Sequence, residues 1–229
     1  MDAQGAGEWA VDGGKLTRLR RPEMYYFFHE LKATSCPVFI NGLMHDKFMS
    51  NGAEVDMNYA WHWVDEGDPA PLPEELWLIT KDRSYSFDFR KKFGGYIVSC
   101  RLLSIMDKHG TAGWSRSALH VVNKKKEPVS KYDYYFLRVA DNVNVALSNV
   151  INLNASDVEL RKTGEIKHIK RLSLCDGIDR EIFLVDEPAT RSALFCSASF
   201  KAEFDAGSWQ GVTLVSVSEF GVVKELYRQ

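Results

Sequence analysis

Residues 194–217 read LFCSASFKAEFDAGSWQGVTLVSV. How Cys196, Ser197 and Ser199 are read in this stretch decides the fold. They are nucleophiles if a base stands beside them, and otherwise the start of a helix. The surrounding pattern favours the helix. A serine hydroxyl accepts from an orphan N–H of a first turn, so Ser197 is a natural N-cap and Ser199 falls in or beside that turn. Phe200 and Phe204 follow four apart, on one helical face. Gly207 stands where the helix stops, and VTLVSV reads as a strand. Cys196 is then a small apolar residue at a strand end.

The same arrangement occurs earlier. Residues 96–110 read YIVSCRLLSIMDKHG. Ser99 is the cap, Leu102, Ile105 and Met106 recur at helical spacing, and Gly110 suits the stop. With a constant offset, Ser99 aligns with Ser197, Leu102 with Phe200, Met106 with Phe204 and Asp107 with Asp205. Twin nucleophiles would need two sets of bases and oxyanion donors, which the sequence does not offer. Twin caps need only two helices docked on a sheet.

Strand signals surround these units: MYYFF at 24–28, LWLIT at 76–80, SALHVV at 117–122, YYFLRVA at 134–140, DVELRK at 157–162, IKRLSL at 169–174 and EIFLVD at 181–186. The expected class is α+β, with a mixed, largely antiparallel sheet, a few short helices and two echoing strand–helix–strand units. Residues 1–22, rich in glycine and charge, read as a mobile lead-in. Residues 23–229 read as a single α+β domain, with a variable acidic, aromatic-rich region at 23–75 and a core at 76–229.

Bulk composition bounds the function. Hydrophobic residues make up 45% of 229, enough for a core. The net charge of −2 gives no global basic field for nucleic acid. Charge is uneven, however: residues 46–75 hold eight acids against the single base Lys47. That run is either a solvated acidic face or a docking surface for a basic partner. Cys36, Cys100, Cys175 and Cys196 form no metal-type pair and read as reduced thiols. The opening MDAQGAGEWAVDGG lacks the regions of a signal peptide, and no apolar run approaches the ~20 residues that span a bilayer. The expectation is a cytoplasmic protein that uses no membrane.

No phosphate loop, dinucleotide fingerprint, nucleophile elbow or zinc-protease motif occurs. Gly94–Gly95 in FGGY reads as a turn. RKTGEIKHIKR at 161–171 reads as a hairpin about KTGE and not as a phosphate or nucleic-acid site. His120, in an apolar strand, reads as a structural histidine. HWVDEGD at 62–68 sets His62 near Asp65, Glu66 and Asp68, but the spacing fits no ligand rule, so no metal and no cofactor are expected. Trp61 and Trp63 share one face if extended. They are either core or aromatic anchors rimmed by Asp65, Glu66 and Asp68, and these five residues are the candidate partner-binding site.

The order YIVSCRLLSIM (96–106), DYYFLRVADNVNVAL (133–147), EIFLVDEPATRSALFCSASFKAEF (181–204) and SWQGVTLVSV (208–217) resembles a family of bacterial polymorphic-toxin immunity proteins, the eleventh numbered group. The resemblance spans about 75–220 and departs from the family in lacking its usual proline near VTLVSVSEF. It implies a protein encoded beside a secreted toxin, whose partner is that cognate toxin and which blocks it by stoichiometric binding. It carries no catalytic residues, so no enzyme is expected. The alternatives are a hydrolase that reverses toxin damage through His62 and nearby carboxylates, or a binding module for a small ligand or another protein.

Overall fold

A computed structural model describes residues 9–12, 15–18, 24–50, 71–138, 146–190 and 193–226. Within the expected lead-in, β1 (Trp9–Asp12) and β2 (Lys15–Arg18) pair as an antiparallel hairpin.

Two sheets carry the rest. The five-stranded sheet contains β3 (Tyr25–Glu30), β10 (Ala146–Leu147), β13 (Ile182–Val185), β14 (Phe195–Ser197) and β15 (Val212–Ser216), in the order β10-β13-β14-β3-β15. The six-stranded sheet contains β4 (Gly42–His45), β5 (Glu75–Thr80), β6 (Phe89–Lys92), β7 (Gly95–Ser99), β8 (Ser115–Val122) and β9 (Tyr134–Arg138), in the order β4-β5-β8-β9-β7-β6. A second hairpin joins β11 (Asp157–Leu160) to β12 (Ile166–Arg171) across Gly164, whose φ of +88° suits the turn. The helices are α1 (Cys100–Met106), α2 (Ala198–Asp205) and α3 (Phe220–Leu226). The class is α+β, with mixed and largely antiparallel sheets.

The sequence echo becomes a topological repeat. β7 leads through α1 to β8, and β9 pairs antiparallel with both, so β7 and β8 run parallel with β9 between them. β14 leads through α2 to β15, and β3 pairs antiparallel with both in the same way. Each sheet therefore holds a split crossover, the connection that parallel strands require. Both caps form: Ser99 Oγ accepts from Leu102 N at 3.3 Å and Ser197 Oγ from Phe200 N at 3.2 Å.

The helix faces meet in one core. Leu102, Met106 and Phe200 are fully buried, and Phe204 nearly so. Phe28 of one sheet packs on Phe89 of the other at 4.9 Å between ring centroids and on Phe200 at 5.5 Å. Beyond α1, His109 sits between two carboxylates, with Nδ1 2.5 Å from Glu181 Oε2 and Nε2 2.8 Å from Glu203 Oε2. It ties the end of the first unit to α2 of the second. A separate cluster, including Leu76, Leu78, Leu119 and Phe136, lies on the other face of the six-stranded sheet under Cys36, Ile40, Tyr85 and Phe87. Among the described residues, loops rather than a helix cover this face.

The glycine stops behave differently from one another. α1 continues as a wider turn over Asp107–Thr111, and Gly110 ends it with φ +102°. Gly207 has no left-handed φ. A Cβ there would lie 2.6 Å from the Trp209 ring, so glycine is required by the indole folding back over the helix end.

Candidate functional site

Four covalently distant segments, 33–36, 83–86, 128–131 and 209–211, enclose an open cleft of about 820 Å³ in the loop layer. Two charged residues of FDFR, residues 87–90, position its walls. Asp88 stands at the bend just before β6 and Arg90 within it, and both are fully buried.

Arg90 satisfies main chain. Its Nε donates to Pro37 O at 2.8 Å. Nη1 donates to Phe89 O and Gly211 O at 2.6 Å each, and Nη2 to Leu31 O at 2.9 Å and Cys36 O at 2.7 Å. The five donors of a guanidinium are thus matched by five carbonyls. The group also lies 4.9 Å over the Phe87 ring. Gly211, at φ +73°, leaves room for it: a Cβ would fall 2.8 Å from Nη2.

Asp88 joins the first crossover helix to the wall at 209–211. Its carboxylate accepts from Ser99 Oγ, Arg101 Nε and Gln210 N, each at 2.6 Å, and from Arg101 Nη2 at 2.5 Å. This hydrogen bonding raises the Arg101 pKa above its ordinary value. The Arg101 guanidinium lies 4.5 Å over Tyr132 and 5.3 Å over Trp209. Trp209 stacks on Phe204 at 5.3 Å and donates from Nε1 to Phe204 O at 2.6 Å.

The walls these anchors hold are polar and basic. Arg83 and Lys131 are exposed at the cleft, Ser35 and Ser84 hydrogen-bond through their hydroxyls at 2.8 Å, and Ser86 and Ser130 add further hydroxyls. Tyr85 forms the floor. Burial first, and then the hydrogen bond to Asp82, push its pKa far above the ordinary range, so it stays a neutral phenol. Among the described residues no histidine, aspartate or glutamate lines the cleft. What the described lining offers is hydrogen-bond donors and positive charge.

Cys196 is fully buried, and burial raises its thiol pKa well above the ordinary value despite nearby Lys201. Cys100 is exposed. Native protein treated with a thiol reagent is expected to be modified at Cys100, with Cys36 and Cys196 protected until denaturant is added. Peptide mass spectrometry reads this directly, and modification of Cys196 as fast as Cys100 contradicts the buried assignment.

The residues singled out from sequence fare unevenly. Trp61, His62, Trp63, Asp65, Glu66 and Asp68 lie outside the described residues. Of the acidic run, Asp46, Glu74 and Glu75 are described and exposed. His120 is not a core histidine. It stacks on Trp77 at 4.3 Å, is 40% exposed, and has Nε2 3.4 Å from Glu75 Oε2 without hydrogen-bond geometry. Among the described residues no group of three or more His, Cys, Asp and Glu side chains is placed to hold a metal, and no helix is long and apolar enough to cross a membrane. The cleft and its anchors escaped the sequence reading. The signal was FDFR itself, whose alternation of aromatic and charge resembles a half-solvated strand.

Comparison with known families gives the class: a polymorphic-toxin immunity protein, with a toxin-neutralising role. The chain belongs to the family described as Immunity protein 43, whose profile matches residues 29–225. The resemblance drawn from the sequence reached this class under another family number, eleven, and over the shorter span of about 75–220. The match also takes in residues 29–75. No curated protein matches the chain.

Proposed function

We propose that this protein neutralises one cognate toxin by direct, stoichiometric binding, in the cytoplasm of the cell that makes both. The observation that carries this reading is the match to Immunity protein 43 over residues 29–225. The cleft agrees with it, because the donors and cations of its described lining suit recognition. The acidic run at 46–75, with Trp61, Trp63, Asp65, Glu66 and Asp68, is proposed as a further docking surface for basic parts of the same toxin.

Purified protein is expected to co-elute with the toxin and to abolish its activity at one equivalent. Full protection at a small fraction of an equivalent, lost in His62→Ala with folding intact, replaces binding with an enzymatic repair role. Reversing the charges of Asp65, Glu66 and Asp68 is expected to weaken binding and flatten its salt dependence. Unchanged affinity removes the acidic run from the interface.

A further inference from the structure

We infer that the cleft in the loop layer takes an extended, carboxylate-bearing segment of the toxin, gripped by Arg83 and Lys131. The inference rests on the binding reading above and names the chemistry of the partner. Its first support is sign. Among the described residues no carboxylate lines the cleft, both cations are exposed, and neither has a carboxylate within ion-pair distance. The nearby Arg101 is already answered by Asp88, so the charge left to attract a ligand is that of Arg83 and Lys131.

The second support is donor supply. The hydroxyls of Ser84 and Ser130 and the side-chain amide of Gln210 line the same cleft as these cations, and Trp209 contributes an aromatic edge of the kind that dominates interface energetics. The third is preorganisation. The walls at 33–36 and 209–211 are fixed by Arg90, and the 209–211 wall also by Asp88, so docking orders little that is not already ordered.

A small organic acid shares this chemistry, but the shape argues for a macromolecular segment. Arg83, Ser84, Lys131 and Gln210 are all exposed, so a small acid would stay solvated beside them. A protein segment brings its own surroundings to exclude that water, which strengthens each charge pair.

The test compares three full-length proteins for toxin binding by calorimetry at low and moderate salt: wild type, R83E/K131E, and K125E/K162E. The last makes the same change in net charge at exposed lysines outside the cleft. R83E/K131E is expected to bind about 100-fold more weakly than wild type and with a flatter salt dependence, whereas K125E/K162E stays within about 3-fold. Neither Arg83 nor Lys131 makes an ion pair among the described residues, so unfolding midpoints should agree across the set. An Asp→Lys or Glu→Lys substitution on the toxin is expected to restore binding to R83E/K131E.

If wild type binds and R83E/K131E binds equally well, or both variants weaken alike, the cleft inference falls while the binding reading stands. If wild type does not bind the toxin, both fall. Succinate is the probe for the small-acid alternative. Tight, saturable binding to wild type that R83E/K131E loses, with toxin affinity unaffected, makes the cleft a metabolite site and overturns the inference.

Discussion

Arg90→Met is expected to lose about 4 kcal/mol or more of folding stability, read as a shifted urea midpoint at unchanged slope. The donors lost are those to five main-chain carbonyls, at Leu31, Cys36, Pro37, Phe89 and Gly211. A buried acceptor left without a donor costs about 1–3 kcal/mol, so two or three that remain dry account for the effect. A buried charge pair is sometimes replaced without loss when both partners become apolar. That escape is closed here, because the partners are backbone oxygens that no substitution removes. Against a typical total of about 5–15 kcal/mol, the variant is close to unfolding. Arg90→Lys retains charge but has three donors for five acceptors, and should fall between. Limited proteolysis should cut first within 31–40. A loss below about 1 kcal/mol would show that water replaces the guanidinium and that it is not the staple of this loop.

Asp88→Ala is the second large effect, at about 3 kcal/mol. The Ser99 hydroxyl loses its acceptor in a buried setting and the Gln210 N–H in a part-buried one, while Arg101, with 38% of its side chain exposed, rehydrates at lower cost. Ser99→Ala is the control. It removes the α1 cap, worth about 0.5–2 kcal/mol, and leaves the link from Asp88 to Gln210 and Arg101. Toxin affinity separates the two beyond stability. Asp88→Ala should weaken binding in conditions where the protein is fully folded, because the 209–211 wall loses its anchor. Ser99→Ala should leave affinity unchanged. Equal affinities for the two variants would separate the wall from the binding surface.

The strand–helix units were legible because their signals are local. A serine cap, an apolar pair four apart and a following strand occupy about a dozen residues, and each reinforces the others. Hairpins were legible for the same reason, as at Gly94 and Gly164. What could not be read was pairing across the chain. Nothing in MYYFF shows that Phe27 pairs with both Phe195 and Val215. The cleft was illegible in kind as well as in distance: each of its four segments reads alone as an ordinary polar connection. FDFR misleads because a period of two normally separates a wet face from a dry one. Here both faces are dry: Arg90 is satisfied by main-chain carbonyls, and Asp88 by the side chains of Ser99 and Arg101 and the Gln210 N–H.

The two split crossovers differ in where their middle strand comes from. β9 follows β8 directly, so the six-stranded sheet closes from a continuous stretch. β3 comes from the first thirty residues, and both of its neighbours come from beyond residue 190. During synthesis the first sheet can therefore assemble early and offer Phe89 to Phe28, while Phe27 and the edges of β3 wait for residues beyond 194 to be made. A chain halted before Leu194 leaves that strand with no neighbour on either edge, exposed to pairing with other chains. Closure of the second sheet thus marks translation past β15, because β3 gains both of its neighbours only then.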